Sequence, residues 1–161
     1  MARPSLSAKV LTALAGKRLA TAESLTGGGI GQAITSVSGA SAVFAGGVIC
    51  YTNEVKHKVL GVSEEVLDAC GAVSAPVAEA MARGAREVIG ADVAVAVTGL
   101  AGPDGDEFGN PVGTVFIGYA DGQRNFAEEY HFQGDRAEVR EQTIEAALAL
   151  VLQQWDGSYE K

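Results

Sequence analysis

Between Asp92 and Thr98 the chain reads Val93-Ala94-Val95-Ala96-Val97, apolar at every position. Side chains along a strand alternate between the two faces of a sheet, so a strand with no polar position has to be covered on both. The usual cover is a layer of helices on each side, which points to an α/β sandwich.

The flanking pattern agrees. Leu6, Val10, Leu11 and Leu14 recur at helical spacing between a Pro4-Ser5 start and a Gly16 stop. Arg18 to Ala22 is short and apolar enough for a buried strand, and it runs into Glu23-Ser24-Leu25-Thr26-Gly27-Gly28-Gly29. Ile30, Ala33, Ile34 and Val37 then mark one face of a second helix. Phe44 to Thr52 reads as a second strand, with Val48, Ile49 and Cys50 continuous as in a covered sheet. Asn53 is the expected cap of a short helix carrying Lys56 and Leu60. Ser63 and Ser74 open two more, the second holding Val77, Met81 and Val88 and closing near Gly90. Val112 to Tyr119 and Asn125 to Phe132 form strands joined by a hairpin turn at Asp121-Gly122. Asp135 to Trp155 is a final helix with Val139, Ile144, Ala147, Leu148 and Val151 on one side. The fold class is therefore α/β: a three-layer α/β/α sandwich with a mixed β-sheet. Residues 1–161 form a single domain without repeat or linker.

Composition narrows the partners. The formal charge is −8, with no basic stripe, so no nucleic acid is expected. Backbone amides and a single arginine can still hold an anion locally, which favours a small-molecule substrate. No apolar run reaches the ~20 residues that span a bilayer, and no signal peptide is visible, so the chain is read as cytoplasmic with no membrane partner. Cys50 and Cys70 form no CxxC pattern and suit reduced buried thiols. His57 and His131 are isolated, so no metal site is expected. A homo-oligomer is expected for an enzyme of this size.

Chemistry is concentrated in the polar segments that follow the strands: Glu23 to Gly29, Tyr51 to Lys56, and Thr98 to Gly105. If the strands are parallel neighbours, these segments meet in one cleft at the carboxyl edge of the sheet. The first offers the hydroxyl of Ser24 and glycines that bare the backbone at a helix start, a place for a phosphate or an oxyanion. Equally, Ser24 or Thr26 could simply cap that helix. The glycines do not fit a dinucleotide fingerprint, because the third required position falls on Gln32 or Ile34. Neither GxxxxGK nor GxSxG is present. The second segment supplies Tyr51, Asn53 and Lys56; a lysine acts as a base only when neutral, which requires burial or a neighbouring cation. Taken alone, Lys56 also suits an exposed helix position, as Lys58 does. The third segment is either a loop that closes over substrate or a plain surface loop. Its acidic residues lack EF-hand spacing. Asp135 is a plausible cap of the last helix, where Arg136 or Arg140 suits either a phosphate contact or a salt bridge.

Six collinear blocks resemble the CinA C-terminal domain family, whose characterised enzymes are nicotinamide-mononucleotide deamidases. They are Ala22-Glu23-Ser24-Leu25-Thr26-Gly27-Gly28, Tyr51-Thr52-Asn53-Glu54-Val55-Lys56, Gly71-Ala72-Val73-Ser74, Val97-Thr98-Gly99-Leu100-Ala101-Gly102-Pro103, Pro111-Val112-Gly113-Thr114-Val115 and Gly134-Asp135-Arg136. The resemblance runs over nearly the whole chain and looks like the stand-alone form, without the larger N-terminal domain of two-domain members. It implies Ser24 as nucleophile, Lys56 as its base and Tyr51 as the group that relays or steadies the proton. It implies a substrate site formed by Thr26, Gly27, Gly28, Asn53, Thr98, Gly99, Ala101, Gly102 and Arg136. The implied substrate is a phosphorylated pyridine nucleotide, nicotinamide mononucleotide, converted to nicotinic acid mononucleotide and ammonia without metal or organic cofactor. A non-catalytic nucleotide-binding module, or a serine amidase for another small amide, are the alternatives. Where the family usually has cysteine after the serine this chain has Leu25, which leaves a hydroxyl as the only nucleophile of that turn. The third loop carries Asp104, Asp106, Glu107 and Phe108 where members are often glycine-rich.

Overall fold

The computed structural model describes residues 5–155. Pro4, expected at the first helix start, lies outside them. Elements follow in the order α1 (Leu6–Ala13), β1 (Leu19–Glu23), α2 (Gly29–Thr35), β2 (Phe44–Ile49), α3 (Asn53–Leu60), α4 (Glu64–Cys70), α5 (Ala75–Ile89), β3 (Val93–Gly99), β4 (Thr114–Ala120), β5 (Asn125–His131) and α6 (Arg136–Trp155). One five-stranded sheet has the order β2-β1-β3-β4-β5. β1 runs parallel to both β2 and β3, while β3–β4 and β4–β5 are antiparallel. The sheet is mixed, as the hairpin at Asp121-Gly122 predicted.

The alternation in Val93–Val97 decides the layers. Val93, Val95 and Val97 are buried in one core with α1, α2 and α6; Ala94 and Ala96 are buried in the other with Val77, Met81 and Ala85 of α5. Large side chains therefore fill one interface and small ones the other, so α5 lies close to the sheet. Its Ala78 carbonyl rests against Gly118 of β4, where a Cβ would collide with backbone. Gly84 likewise lets the Leu60 carbonyl at the end of α3 touch α5.

Several sequence boundaries move. β2 stops at Ile49 rather than Thr52, and it is an edge strand: Ile49 is exposed, not covered. Thr52, not Asn53, caps α3, its hydroxyl accepting from the Val55 amide. Ser63 does cap α4, but the Ser74 hydroxyl donates to the Gly71 carbonyl instead of capping α5. α2 ends two residues before Val37, Val88 points to solvent, and β4 starts at Thr114 rather than Val112. Asp135 caps α6 as expected: it accepts from the Glu138 amide while Glu138 accepts from the Asp135 amide, a reciprocal capping box. Cys50 is buried and Cys70 half-buried; both are free thiols. Among the described residues no helix is long and apolar enough to cross a membrane.

Candidate active site

β1 lies between β2 and β3, and all three point the same way. The chain leaves β1 through α2 to reach β2 on one side, then returns through α3, α4 and α5 to β3 on the other. This reversal opens a crevice at the carboxyl ends of the strands. Ser24 stands there, directly after β1, its amide donating to the Val97 carbonyl at 3.1 Å. Cys50, after β2, donates to the Glu23 carbonyl at 2.9 Å. The three polar segments are thus tied to adjacent strand ends.

The crevice has a volume of about 310 Å³ and is lined by Ser24, Leu25, Tyr51, Asn53, Lys56, Thr98, Gly99, Ala101, Gly102 and Arg136, with Ala72, Val73, Leu100 and Asp104 completing the wall. Every expected site residue is therefore in the lining except Thr26, Gly27 and Gly28, which follow Ser24 in the turn but are not part of the wall. A larger groove of about 660 Å³ between α1, α2 and α6 carries Ser5, Ser7, Glu138, Glu141, Glu145 and neutral amides, and neither serine hydroxyl is hydrogen-bonded to a carboxylate among the described residues.

Lys56 is buried, 2% exposed, the setting a lysine base requires and not the exposed helix position that it also suited when taken alone. Its Nζ lies 3.1 Å from Ser24 Oγ and donates to the Cys50 carbonyl at 2.9 Å. It has no carboxylate partner among the described residues. Desolvation by burial pushes its pKa below the ordinary lysine value. Burial thus favours the neutral amine, and a neutral amine at hydrogen-bond distance from a hydroxyl can take that proton as a base. Cys50, under the same roof, has its thiol pushed up to about 11 by burial, so it stays protonated.

Tyr51 sits on the rim, 60% exposed. Its hydroxyl accepts from Arg136 Nη2 at 3.2 Å and forms no hydrogen bond with Ser24 or Lys56. The Arg136 Nη1 donates to the Gly102 carbonyl at 2.7 Å. Arg136 thus bridges the two walls of the crevice rather than forming a salt bridge. Thr98 is held by its hydroxyl on the Ala72 carbonyl.

Glu23 was not among the residues singled out from sequence, yet it organises the turn. Its buried carboxylate accepts from the Thr26 hydroxyl at 2.6 Å, the Ile30 amide at 2.8 Å and the Gly31 amide at 3.0 Å. Those amides are the unsatisfied donors of the α2 N-terminus, which this side chain fills from seven residues upstream. The helix start expected to receive a phosphate or oxyanion is therefore already occupied. Neither Ser24 nor Thr26 is the N-cap; Gly28 is, at φ +102°. A carboxylate at the end of an apolar strand, just ahead of three glycines, was the available signal.

Comparison with known proteins bears on this site as a whole. The family model described as the CinA C-terminal domain matches residues 4–155. A Pseudomonas putida protein named nicotinamide-nucleotide amidohydrolase PncC is 52% identical over 136 residues, covering 84% of this chain and 85% of that protein. A CinA-like protein of Geobacter metallireducens is 50% identical over 84% of this chain, which spans only 32% of that longer relative. Among solved structures, a CinA superfamily protein from Klebsiella pneumoniae superposes with a TM-score of 0.91 at 35% identity, over 93% of this chain and 95% of that one. The Agrobacterium tumefaciens competence/damage inducible protein gives 0.88 at 37% identity, over 94% and 98%. Sequence and three-dimensional similarity agree over nearly the whole described length, and the chain belongs to the CinA C-terminal domain family.

Proposed function

We propose that the protein hydrolyses the ring carboxamide of nicotinamide mononucleotide to nicotinic acid mononucleotide and ammonia. The observation that carries the chemistry is the buried Lys56 amine 3.1 Å from the Ser24 hydroxyl. The substrate reading is supported by the 52% identity to the Pseudomonas putida nicotinamide-nucleotide amidohydrolase.

In this reading Lys56, neutral in its buried setting, takes the Ser24 proton as Oγ attacks the carboxamide carbon. The carbonyl oxygen becomes an oxyanion held by backbone amides of the turn after Ser24. Collapse breaks the C–N bond, and the departing nitrogen receives a proton and leaves as ammonia, with Lys56 or Tyr51 as donor. The resulting ester on Ser24 is hydrolysed by water, with Lys56 again serving as base. Asn53, Thr98, Gly99, Ala101 and Gly102 form the wall against the nucleotide. Arg136, already bridging Tyr51 and Gly102, offers its guanidinium to the phosphate at the mouth. We assign Thr26, Gly27 and Gly28 to the turn that holds the nucleophile. No step requires a metal or organic cofactor.

The test is ammonia release from nicotinamide mononucleotide, nicotinamide riboside and asparagine. Turnover of the mononucleotide in preference to the others is expected. Binding without turnover would favour a nucleotide-binding module, and turnover of a non-phosphorylated amide alone would favour a different amidase.

A further inference from the structure

The turn that carries Ser24 is held from two sides. Glu23 takes up the amides that open α2, so the negative charge formed in the reaction cannot settle there. The Ser24 amide is committed to the Val97 carbonyl and the Gly27 amide to the Ser24 carbonyl at 3.2 Å. Among the described residues, the amides of Leu25 and Thr26 have no acceptor in the chain. The Gly28 amide and, across the crevice, those of Ala101 and Gly102 are likewise uncommitted, but Leu25 and Thr26 directly follow Ser24 in the chain and are the donors we take for an oxyanion there.

From the opposite side comes Arg140, one helical turn along α6 from Arg136. Its Nε donates to the Leu25 carbonyl at 3.0 Å and its Nη2 to the Thr26 carbonyl at 3.2 Å. It forms no ion pair among the described residues, so neither a salt bridge nor a free phosphate ligand describes it. In a planar trans peptide the C=O and the following N–H point in opposite directions. Holding the Leu25 carbonyl toward α6 therefore turns the Thr26 N–H away from α6. The next peptide shows the same consequence: with the Thr26 carbonyl held by Arg140, the Gly27 N–H points back to the Ser24 carbonyl. Gly27 has φ +57°, and a Cβ added there would lie 3.8 Å from Arg140 Nη2, in ordinary contact with the guanidinium.

We propose that Arg140 is a positioning residue: from α6 it holds the Leu25 and Thr26 carbonyls and so aims the Thr26 amide at the oxyanion formed on Ser24's acyl adduct. This rests on the serine-amidase reading of the site. Arg140 touches neither substrate nor the reacting atoms; it removes a rotation of two peptide planes that would dissolve the oxyanion site.

The experiment compares wild type with Arg140→Met and Arg140→Lys in two assays. The first is steady-state hydrolysis of nicotinamide mononucleotide. The second is labelling of Ser24 by an alkyl fluorophosphonate, in which Oγ bonds to phosphorus, fluoride leaves, the serine proton passes to Lys56 and the phosphoryl oxygen occupies the oxyanion site. For Arg140→Met we expect kcat and the labelling rate to fall about 10–100-fold, the scale of a misplaced catalytic geometry. KM, the midpoint of the pH–rate profile and the melting temperature should stay near wild type, because Lys56 and the crevice wall are untouched. Arg140→Lys, which can keep one carbonyl, should fall between. Unchanged kcat and labelling in Arg140→Met would overturn the proposal. So would a loss of kcat accompanied in both variants by a rise in KM and a drop in melting temperature, the mark of a structural role. Absence of both turnover and labelling in wild type would instead refute the serine-amidase reading, and the proposal with it.

Discussion

Replacing Lys56 by Met should change how stability depends on pH, and the sign follows from burial. In the folded protein the amine is 2% exposed, without a carboxylate partner among the described residues, and its pKa is depressed by desolvation. In the unfolded chain it returns to the ordinary value of 10.5. Between the depressed folded value and the ordinary one, the unfolded state binds a proton that the folded state does not. The stability contributed by this lysine is therefore complete above the ordinary value and is lost as pH falls toward the folded one. One proton corresponds to a slope of up to about 1.4 kcal/mol per pH unit. Met fills a similar volume and takes up no proton, so that slope vanishes. Met also leaves the Cys50 carbonyl without its 2.9 Å donor, a loss of about 1–3 kcal/mol at every pH. Lys56→Met should therefore be the less stable protein at high pH and should close the gap, or overtake wild type, as pH is lowered. The Cys50 thiol, raised to about 11, makes stability fall with pH above its ordinary value of 9.0, and Lys56 is one of the charges that set it, so the comparison of the two proteins rests on the range below that value. Urea unfolding of the two proteins from about pH 7 to about pH 9 reads this directly. Parallel stability curves would refute the claim that Lys56 is buried without a counter-charge.

The same geometry makes further demands. Ser24→Ala should lose at least about 10⁴-fold in kcat while unfolding within about 1 kcal/mol of wild type, because Nζ keeps its bond to the Cys50 carbonyl; ammonia release and thermal unfolding check both. Lys56→Arg should be inactive across the pH range and destabilised by about 3–5 kcal/mol, since a guanidinium cannot shed its charge in that burial. In wild type, kcat/KM should rise with pH through a midpoint below 10.5, the base form of Lys56 being the active one. Arg136→Met should raise KM for nicotinamide mononucleotide more than for nicotinamide riboside, as expected of a phosphate contact; an equal effect on both would leave Arg136 a wall residue only.

Much of the fold is written in short patterns. Val93–Val97 demanded cover on both faces, and its Val/Ala alternation even encodes which layer sits closer, although only the Gly118–Ala78 contact makes that visible. Asp135 was readable as the cap of α6, while the Glu138 side chain that returns to its amide emerges from the structure. The site was legible at the level of segments, because parallel strand ends share one edge. Individual side chains were not. Lys56 and Lys58 look alike in a helix of mixed polarity; only the packing of α3 on α5, allowed by Gly84, draws one under the sheet edge and leaves the other in solvent. Glu23 escaped notice because capping logic searches the residue just before a helix, whereas this carboxylate reaches forward to Ile30 and Gly31. Arg140 acts on backbone carbonyls more than a hundred positions away in sequence, a pairing that tertiary structure alone creates. Ile49 and Val88 read as core from composition but belong to an edge strand and a helix flank.

A covalent ester at Ser24 is the intermediate that separates this chemistry from every other reading of the crevice. Acid-quenching wild type within the first turnovers on nicotinamide mononucleotide and mapping the peptides by mass should find the nicotinoyl mononucleotide attached to Ser24, and nothing on the same peptide of Ser24→Ala. Steady ammonia release by Ser24→Ala at the wild-type rate would contradict the account.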